Sequence, residues 1–260
     1  MNSEESQLLQ VRGDGGATLS IAYRFHEPEG KRPVYVWFCG FGSEMGSLKA
    51  EEVARWAADA GAGCLRFDYS GHGRSVGRFE DGTISAWLDE AAAVHSAALR
   101  PGDAAVFVGS SMGAWIALLL ARRLAREGMA LPKGMVLIAP AWDMTRLMWR
   151  RLPPAARAAL ERDGVFYRPS PYGDGPYPIT KKLIEDGEKH LLEGGSAPLD
   201  LRIRILHGRQ DPDVPWRHSL DLLDIIAGAD IRLTLIKDGE HRLSRPQDLA
   251  LLRAALTEFL

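Results

Sequence analysis

Two cysteines in 260 residues, Cys39 and Cys64, leave no disulfide framework and no C-x-x-C pair for a metal or redox centre. Each stands at the edge of an apolar run, where reduced, structural thiols are expected. Neither sign of charge is in excess: Lys and Arg total 32, Asp and Glu 34, and the net charge is -2. With no long run of like charge, the electrostatic footprint of a nucleic-acid or anionic-membrane binder is missing. Long hydrophobic runs are missing as well, none reaching the roughly 20 residues that span a bilayer, so no membrane insertion is expected. The opening residues Met1-Asn2-Ser3-Glu4-Glu5-Ser6 lack the apolar stretch of a secretory leader, and a cytoplasmic location is the expectation. No set of His, Asp and Glu has metal-ligand spacing; neither a metal nor a cofactor is expected. Nothing in the composition fixes an oligomeric state.

What the chain does contain is a strand, a tight turn and a helix in immediate succession around Ser111. Val106-Phe107-Val108 is a short β-branched and aromatic run, and Ala114 to Arg126 has helix-forming composition. Between them Gly109-Ser110-Ser111-Met112-Gly113 fits G-x-S-x-G, in which glycines let strand and helix approach while the central serine sits in strained backbone with its oxygen exposed.

The flanking chain alternates strands and helices. Ala17 to Phe25 alternates as a half-exposed antiparallel strand, suited to an edge hairpin. Val34–Phe38, Gly63–Phe67, Ala104–Val108, Gly134–Pro140, Ile203–His207 and Ile231–Ile236 read as strands, most of them apolar enough for burial on both faces. Helices are expected from Leu48 to Ala60, with Leu48, Val53 and Trp56 on the sheet, then over Ile84–Ala98, Trp216–Ala227 and near the C-terminus. Ser244 with Gln247 would cap the last one. This order predicts a doubly wound, mostly parallel α/β sheet with right-handed crossovers and helices on both faces. The rhythm breaks over residues 141–199. Prolines and glycines there disfavour long helices between Leu152 and Pro178, whereas Trp142–Trp149 and Thr180–Leu192 read as helical. The aromatic and methionine content, Tyr172 included, suggests a cap inserted in a single domain of residues 1–260.

In an open parallel sheet, ligands bind beyond the carboxyl ends of the strands, and Phe41, Ser111, Asp211 and His241 all follow such ends. A serine hydroxyl needs a base to take its proton, and the base needs a carboxylate to fix its tautomer. Ser111, Asp211 and His241 supply these in the chain order of α/β-hydrolases. Asp213 competes as the acid, with Asp238 a more distant third. His72 reads as a holder of its own glycine-rich loop and His207 as a core histidine, while His26, His95, His190 and His218 read as solvated surface.

The chain resembles α/β-hydrolases over almost its whole length. The resemblance rests on Gly109–Gly113, on Phe67-Asp68-Tyr69-Ser70-Gly71-His72-Gly73-Arg74-Ser75, on His207-Gly208-Arg209-Gln210-Asp211 with Val214-Pro215-Trp216, and on Gly239-Glu240-His241-Arg242-Leu243. Phe38-Cys39-Gly40-Phe41-Gly42-Ser43 narrows it toward the abhydrolase-domain acyl-protein thioesterases that also hydrolyse acyl glucuronides. The resemblance implies Ser111 as nucleophile, His241 as general base, Asp211 as orienting acid, and the N–H groups of Phe41 and Met112 as the oxyanion hole. One departure is Cys39, which stands where the family carries a histidine. The implied activity is hydrolysis of carboxylic esters or thioesters on an acylated small molecule or protein. A serine peptidase or carbon–carbon bond hydrolase is the alternative enzyme on this fold, and a non-catalytic ligand-binding protein the alternative outside enzymes.

Overall fold

The computed structural model describes residues 5–13, 16–169, 175–193 and 199–260. Strand β1 (Gln7–Arg12) pairs antiparallel with β2 (Thr18–His26), the expected edge hairpin, and β2 pairs antiparallel with β4 (Gly63–Phe67). From β4 onward the sheet is parallel, through β3 (Val34–Phe38), β5 (Ala105–Ser110), β6 (Gly134–Ile138), β9 (Arg202–Gly208) and β10 (Ile231–Ile236). The order is β1-β2-β4-β3-β5-β6-β9-β10. Every residue of β3, β4, β5 and β6 is buried, as expected for strands covered on both faces. The direction of winding reverses at β3, whose neighbours are β4 and β5, so the crevice of an α/β sheet opens beyond the ends of β3 and β5.

Covering helices are α1 (Leu48–Asp59), α2 (Ile84–Ala98), α3 (Met112–Arg126), α7 (Arg217–Ile225) and α8 (Pro246–Thr257). On α1, Val53 is buried and Trp56 packs edge-on against Tyr35 at 5.0 Å, but Leu48 is 56% exposed. It occupies the first position of the helix, short of the sheet. The cap of α8 is Arg245, whose backbone N–H donates to Asp248 Oδ2 at 3.1 Å and whose guanidinium donates to the same carboxylate oxygen at 2.8 Å; with Pro246 at the first helical position, the cap falls one residue beyond Ser244.

Between β6 and β9 lie α4 (Met144–Arg151), α5 (Pro154–Asp163), a hairpin of β7 (Val165–Arg168) with β8 (Tyr177–Thr180), and α6 (Lys181–Gly187). Long helices are not expected between Leu152 and Pro178, but α5 is a ten-residue helix that the prolines start rather than break. Pro153 is its N-cap and Pro154 its first residue, where a missing N–H and a fixed φ favour a helix, and Gly164 at φ 75° ends it. The segment has its own small apolar cluster of Leu152, Ala156, Leu160, Ile179 and Ile184. Asp143 ties its two ends together, accepting the N–H groups of Leu192 at 2.8 Å and Glu193 at 2.9 Å. Tyr172 and the glycine at 173 lie outside the described residues.

Candidate active site

Ser111 sits between β5 and α3 with φ 55° and ψ −119°, the strained elbow expected of the motif. The crossing is tight. A Cβ on Gly113 would lie 2.0 Å from the Phe38 carbonyl oxygen, so only glycine lets the first turn of α3 lie against the end of β3. Met112 begins α3, where helix geometry leaves the first N–H groups without intrahelical partners.

The loops after β5, β9 and β10 bring three candidate side chains into one chain of hydrogen bonds. His241 Nε2 lies 3.1 Å from Ser111 Oγ, and His241 Nδ1 lies 2.7 Å from Asp211 Oδ2. The other carboxylate oxygen, Oδ1, accepts the N–H groups of Asp213 and Val214, each at 2.8 Å. The side chain of Asp211 is fully buried and that of His241 16% exposed. Burial alone would raise the Asp211 carboxyl, but donation from His207 and His241 outweighs it and holds the group well below the usual carboxylate range. An ionised Asp211 fixes the proton of His241 on Nδ1 and leaves Nε2 free to accept from the serine.

The other acids are engaged elsewhere. Asp213 Oδ1 meets Arg168 at 3.2 Å, and Asp238 pairs with Arg245 at 2.8 Å. Asp211, Asp213 and His241 do offer ligand atoms within 4.8 Å of one another, a proximity that residue spacing did not suggest. A cation there would have to displace the proton shared by His241 and Asp211.

The histidines divide differently from the sequence expectation. His207 is fully buried: Nδ1 meets Ser219 Oγ at 2.6 Å, and Nε2 lies 3.1 Å from the Val214 carbonyl and 3.2 Å from Asp211 Oδ2. It is a core histidine that also touches the acid, and its only trace in sequence is the spacing of four residues across Gly208. His95 lies against Phe107 at 5.5 Å, His190 Nε2 meets Ser85 Oγ at 2.7 Å, and His218 stacks on Trp142 at 4.1 Å. These three are partly buried rather than solvated, and burial lowers the pKa of each. His26 is exposed.

A cavity of about 600 Å³ opens over Ser111 and His241. Its apolar wall includes Phe41, Met144, Leu147, Met148, Phe166 and Tyr177, most of them from the segment between β6 and β9. Other aromatics of that segment do not reach it: Trp142 donates Nε1–H to the His218 carbonyl, and Tyr167 is 52% exposed. Arg151 and Arg168 also line it, which nothing in the sequence pattern announced. Arg151 donates to the carbonyls of Asp213 and Pro212, the latter at 2.8 Å, so α4 is fastened to the loop that carries Asp211.

The sheet order, the elbow and the three-residue hydrogen-bond chain define a serine hydrolase of the α/β-hydrolase fold. Residues 30–174 match the family described as serine aminopeptidase, S33. A human relative, the mitochondrial palmitoyl-protein thioesterase ABHD10, is 32% identical over 234 residues, covering 90% of this chain and 74% of the relative. Among solved structures, a protein from Agrobacterium vitis S4 described no further than as a hydrolase superimposes with a TM-score of 0.92 at 42% identity, covering 98% of both chains. The mouse alpha/beta hydrolase domain-containing protein 10 superimposes with a TM-score of 0.85 at 28% identity, covering 98% of this chain and 97% of its own. The chain belongs to the family of these α/β-hydrolases.

Proposed function

We propose that the protein hydrolyses acyl thioesters and carboxylic esters through an acyl-enzyme on Ser111, with His241 as general base, Asp211 as orienting acid and the N–H groups of Phe41 and Met112 as oxyanion hole. The observation that carries this reading is the unbroken hydrogen-bond chain from Ser111 through His241 to Asp211 at the floor of an apolar cavity. His241 Nε2 takes the proton as Ser111 Oγ attacks the acyl carbon. The oxyanion that forms is held by the two N–H groups, and the protonated His241 then gives its proton to the departing thiolate or alkoxide. Water repeats the sequence on the acyl-enzyme, with His241 again as the base. Residues 141–199 act as a cap on a single domain. Their apolar side chains surround the acyl chain, as binding pockets of this size and lining do. S-palmitoyl groups, named for the ABHD10 relatives, are the leading substrate.

The family description favours a second reading, an aminopeptidase. Such an enzyme needs a carboxylate to receive the substrate ammonium, and the acidic residue that lines the cavity beside His241, Asp213, is paired with Arg168. The thioester reading is therefore preferred. A cytoplasmic site of action belongs to the same proposal, although the relatives are named as mitochondrial; cell fractionation checks it. No helix among the described residues is long and apolar enough to cross a membrane.

The test is labelling with a fluorophosphonate probe, with hydrolysis of p-nitrophenyl octanoate, a palmitoyl thioester and an alanine p-nitroanilide followed in parallel. Wild type should label and turn over the first two substrates, and Ser111→Ala should do neither. Anilide cleavage without ester or thioester cleavage would transfer the assignment to a peptidase.

A further inference from the structure

Where the resemblance places a histidine beside the oxyanion loop, this chain has Cys39. Its buried thiol points to the Phe67 carbonyl at 3.5 Å. The oxyanion loop itself is a four-residue turn in which the N–H of Ser43 meets the carbonyl of Gly40 at 3.1 Å, with Gly42 in the third position at φ 69°. A positive φ there marks a type II turn, whose central peptide, Phe41–Gly42, converts to type I by flipping over. Glycine makes both states accessible. The flip exchanges the places of the Phe41 carbonyl and the Gly42 N–H and changes ψ of Phe41, the residue whose own N–H serves the oxyanion.

One side chain restrains that peptide. The N–H of Gly42 donates to His72 Nε2 at 3.2 Å. His72 Nδ1 lies 3.1 Å from the Ser70 carbonyl, which only accepts, so the ring carries its proton on Nδ1 and leaves Nε2 as the acceptor the turn requires. Burial pushes the imidazole down to about 4, against the raising effect of the Ser70 bond, so it is neutral at physiological pH. The ring is 4% exposed and packs on Phe79 at 4.9 Å and Trp87 at 5.2 Å. The same two rings hold Phe41, at 4.7 and 6.0 Å. Ser70 is itself anchored, its N–H on Glu90 Oε2 at 2.8 Å.

We propose that His72 is a positioning residue for the oxyanion hole, reaching from the loop after β4 to lock the Phe41–Gly42 peptide so that the Phe41 N–H stays aimed at the substrate oxygen. This rests on the reading of Phe41 as an oxyanion donor. It assigns to a residue in another loop the role left open by Cys39.

The experiment compares three substitutions on p-nitrophenyl octanoate, with affinity for an octyl trifluoromethyl ketone, which binds as a tetrahedral adduct, set against affinity for octanoate. His72→Gln puts an acceptor near the place of Nε2. His72→Asn keeps a donor near the place of Nδ1 but loses the reach to Gly42, and His72→Phe keeps only the ring. The Gln variant should retain most of the activity. The Asn and Phe variants should lose about 10- to 100-fold in kcat at little change in KM, a loss in line with a misplaced rather than deleted donor. Ketone affinity should fall in parallel with kcat/KM while octanoate affinity holds. Equal activity in the Gln and Asn variants, or a loss confined to KM, overturns the proposal. A measurement that needs no variant is the nitrogen-15 spectrum of the His72 ring in the wild-type protein at pH 7. Protonation at Nδ1 is expected, and protonation at Nε2 overturns it. A wild type that neither labels with fluorophosphonate nor turns over would overturn the hydrolase reading itself; an active wild type with unaltered His72 variants overturns this inference alone.

Discussion

Asp211 and Asp213 are two residues apart in one turn, and their side chains have different work. Asp211 Oδ2 accepts from His241 at 2.7 Å, whereas Asp213 Oδ1 accepts from Arg168 at 3.2 Å. Asp211→Asn should therefore cut kcat on the order of 10⁴-fold, because an amide in that place favours the wrong imidazole tautomer. Asp213→Asn should stay within about tenfold of wild type, the loss being one partly exposed ion pair. Steady-state kinetics on p-nitrophenyl octanoate separates them, and the reverse ranking would move the orienting role to Asp213. His207 supplies a further donor to Asp211 from the protein interior, and His207→Phe should lower kcat more than it raises KM, with a measurable loss of stability because Ser219 and Val214 lose their partner. The motif residues were legible in sequence because G-x-S-x-G and the late histidine are local patterns tied to strand ends. The contacts of His207 with Asp211 and of His72 with Gly42 were not, since each depends on how separate loops meet.

At the level of elements, the seven strands read from sequence are all present, because buried parallel strands leave continuous apolar runs and the half-exposed edge strand alternates. What escaped was the segment between β6 and β9. Its prolines were read as breakers, yet Pro153 and Pro154 start α5, and the β7–β8 hairpin is too short and too polar at Arg168 to alternate visibly. Two expected outcomes belong here. Gly113→Ala should destabilise the fold by about 3 kcal/mol or more, since the added methyl meets the Phe38 and Cys39 carbonyls, rigid backbone that can yield only by separating α3 from β3. Thermal unfolding monitored by circular dichroism reads this, and an unchanged midpoint would mean that the elbow is looser than the contacts describe. On α4, Met148 faces the cavity, and Met148→Trp should shorten the accepted acyl chain. In wild type each added methylene that finds apolar wall should contribute about 0.8 kcal/mol, roughly fourfold in kcat/KM, until the cavity is full. The variant should reach its plateau at a shorter chain, and identical plateaus would place the acyl group elsewhere.

Across the whole molecule, the sheet brings loops from four strand ends to one rim, and the packing that does so buries several imidazoles. His72, His95, His190 and His218 all have pKa values lowered first of all by burial, His72 to about 4. In the unfolded chain each returns to about 6.5. The unfolded state thus binds more protons between those values, so the stability these groups carry is complete above about pH 6.5 and is lost as pH falls toward their folded values. Each contributes a slope of at most about 1.4 kcal/mol per pH unit. Asp211, whose carboxyl is depressed, adds stability that is lost only below the ordinary carboxylate range. Asp68 and Asp143, raised by burial, act in the opposite sense. Urea midpoints should therefore fall from pH 7 to pH 5 as the histidines of the unfolded chain take up protons. His95→Leu is the sharpest check, because burial against Phe107 is the cause of the His95 shift and leucine keeps the contact apolar. The variant should lose less stability than wild type over the same two units of pH. Parallel curves for the two proteins would mean that His95 takes up its proton in the folded state, and that the interior beside β5 admits a charge.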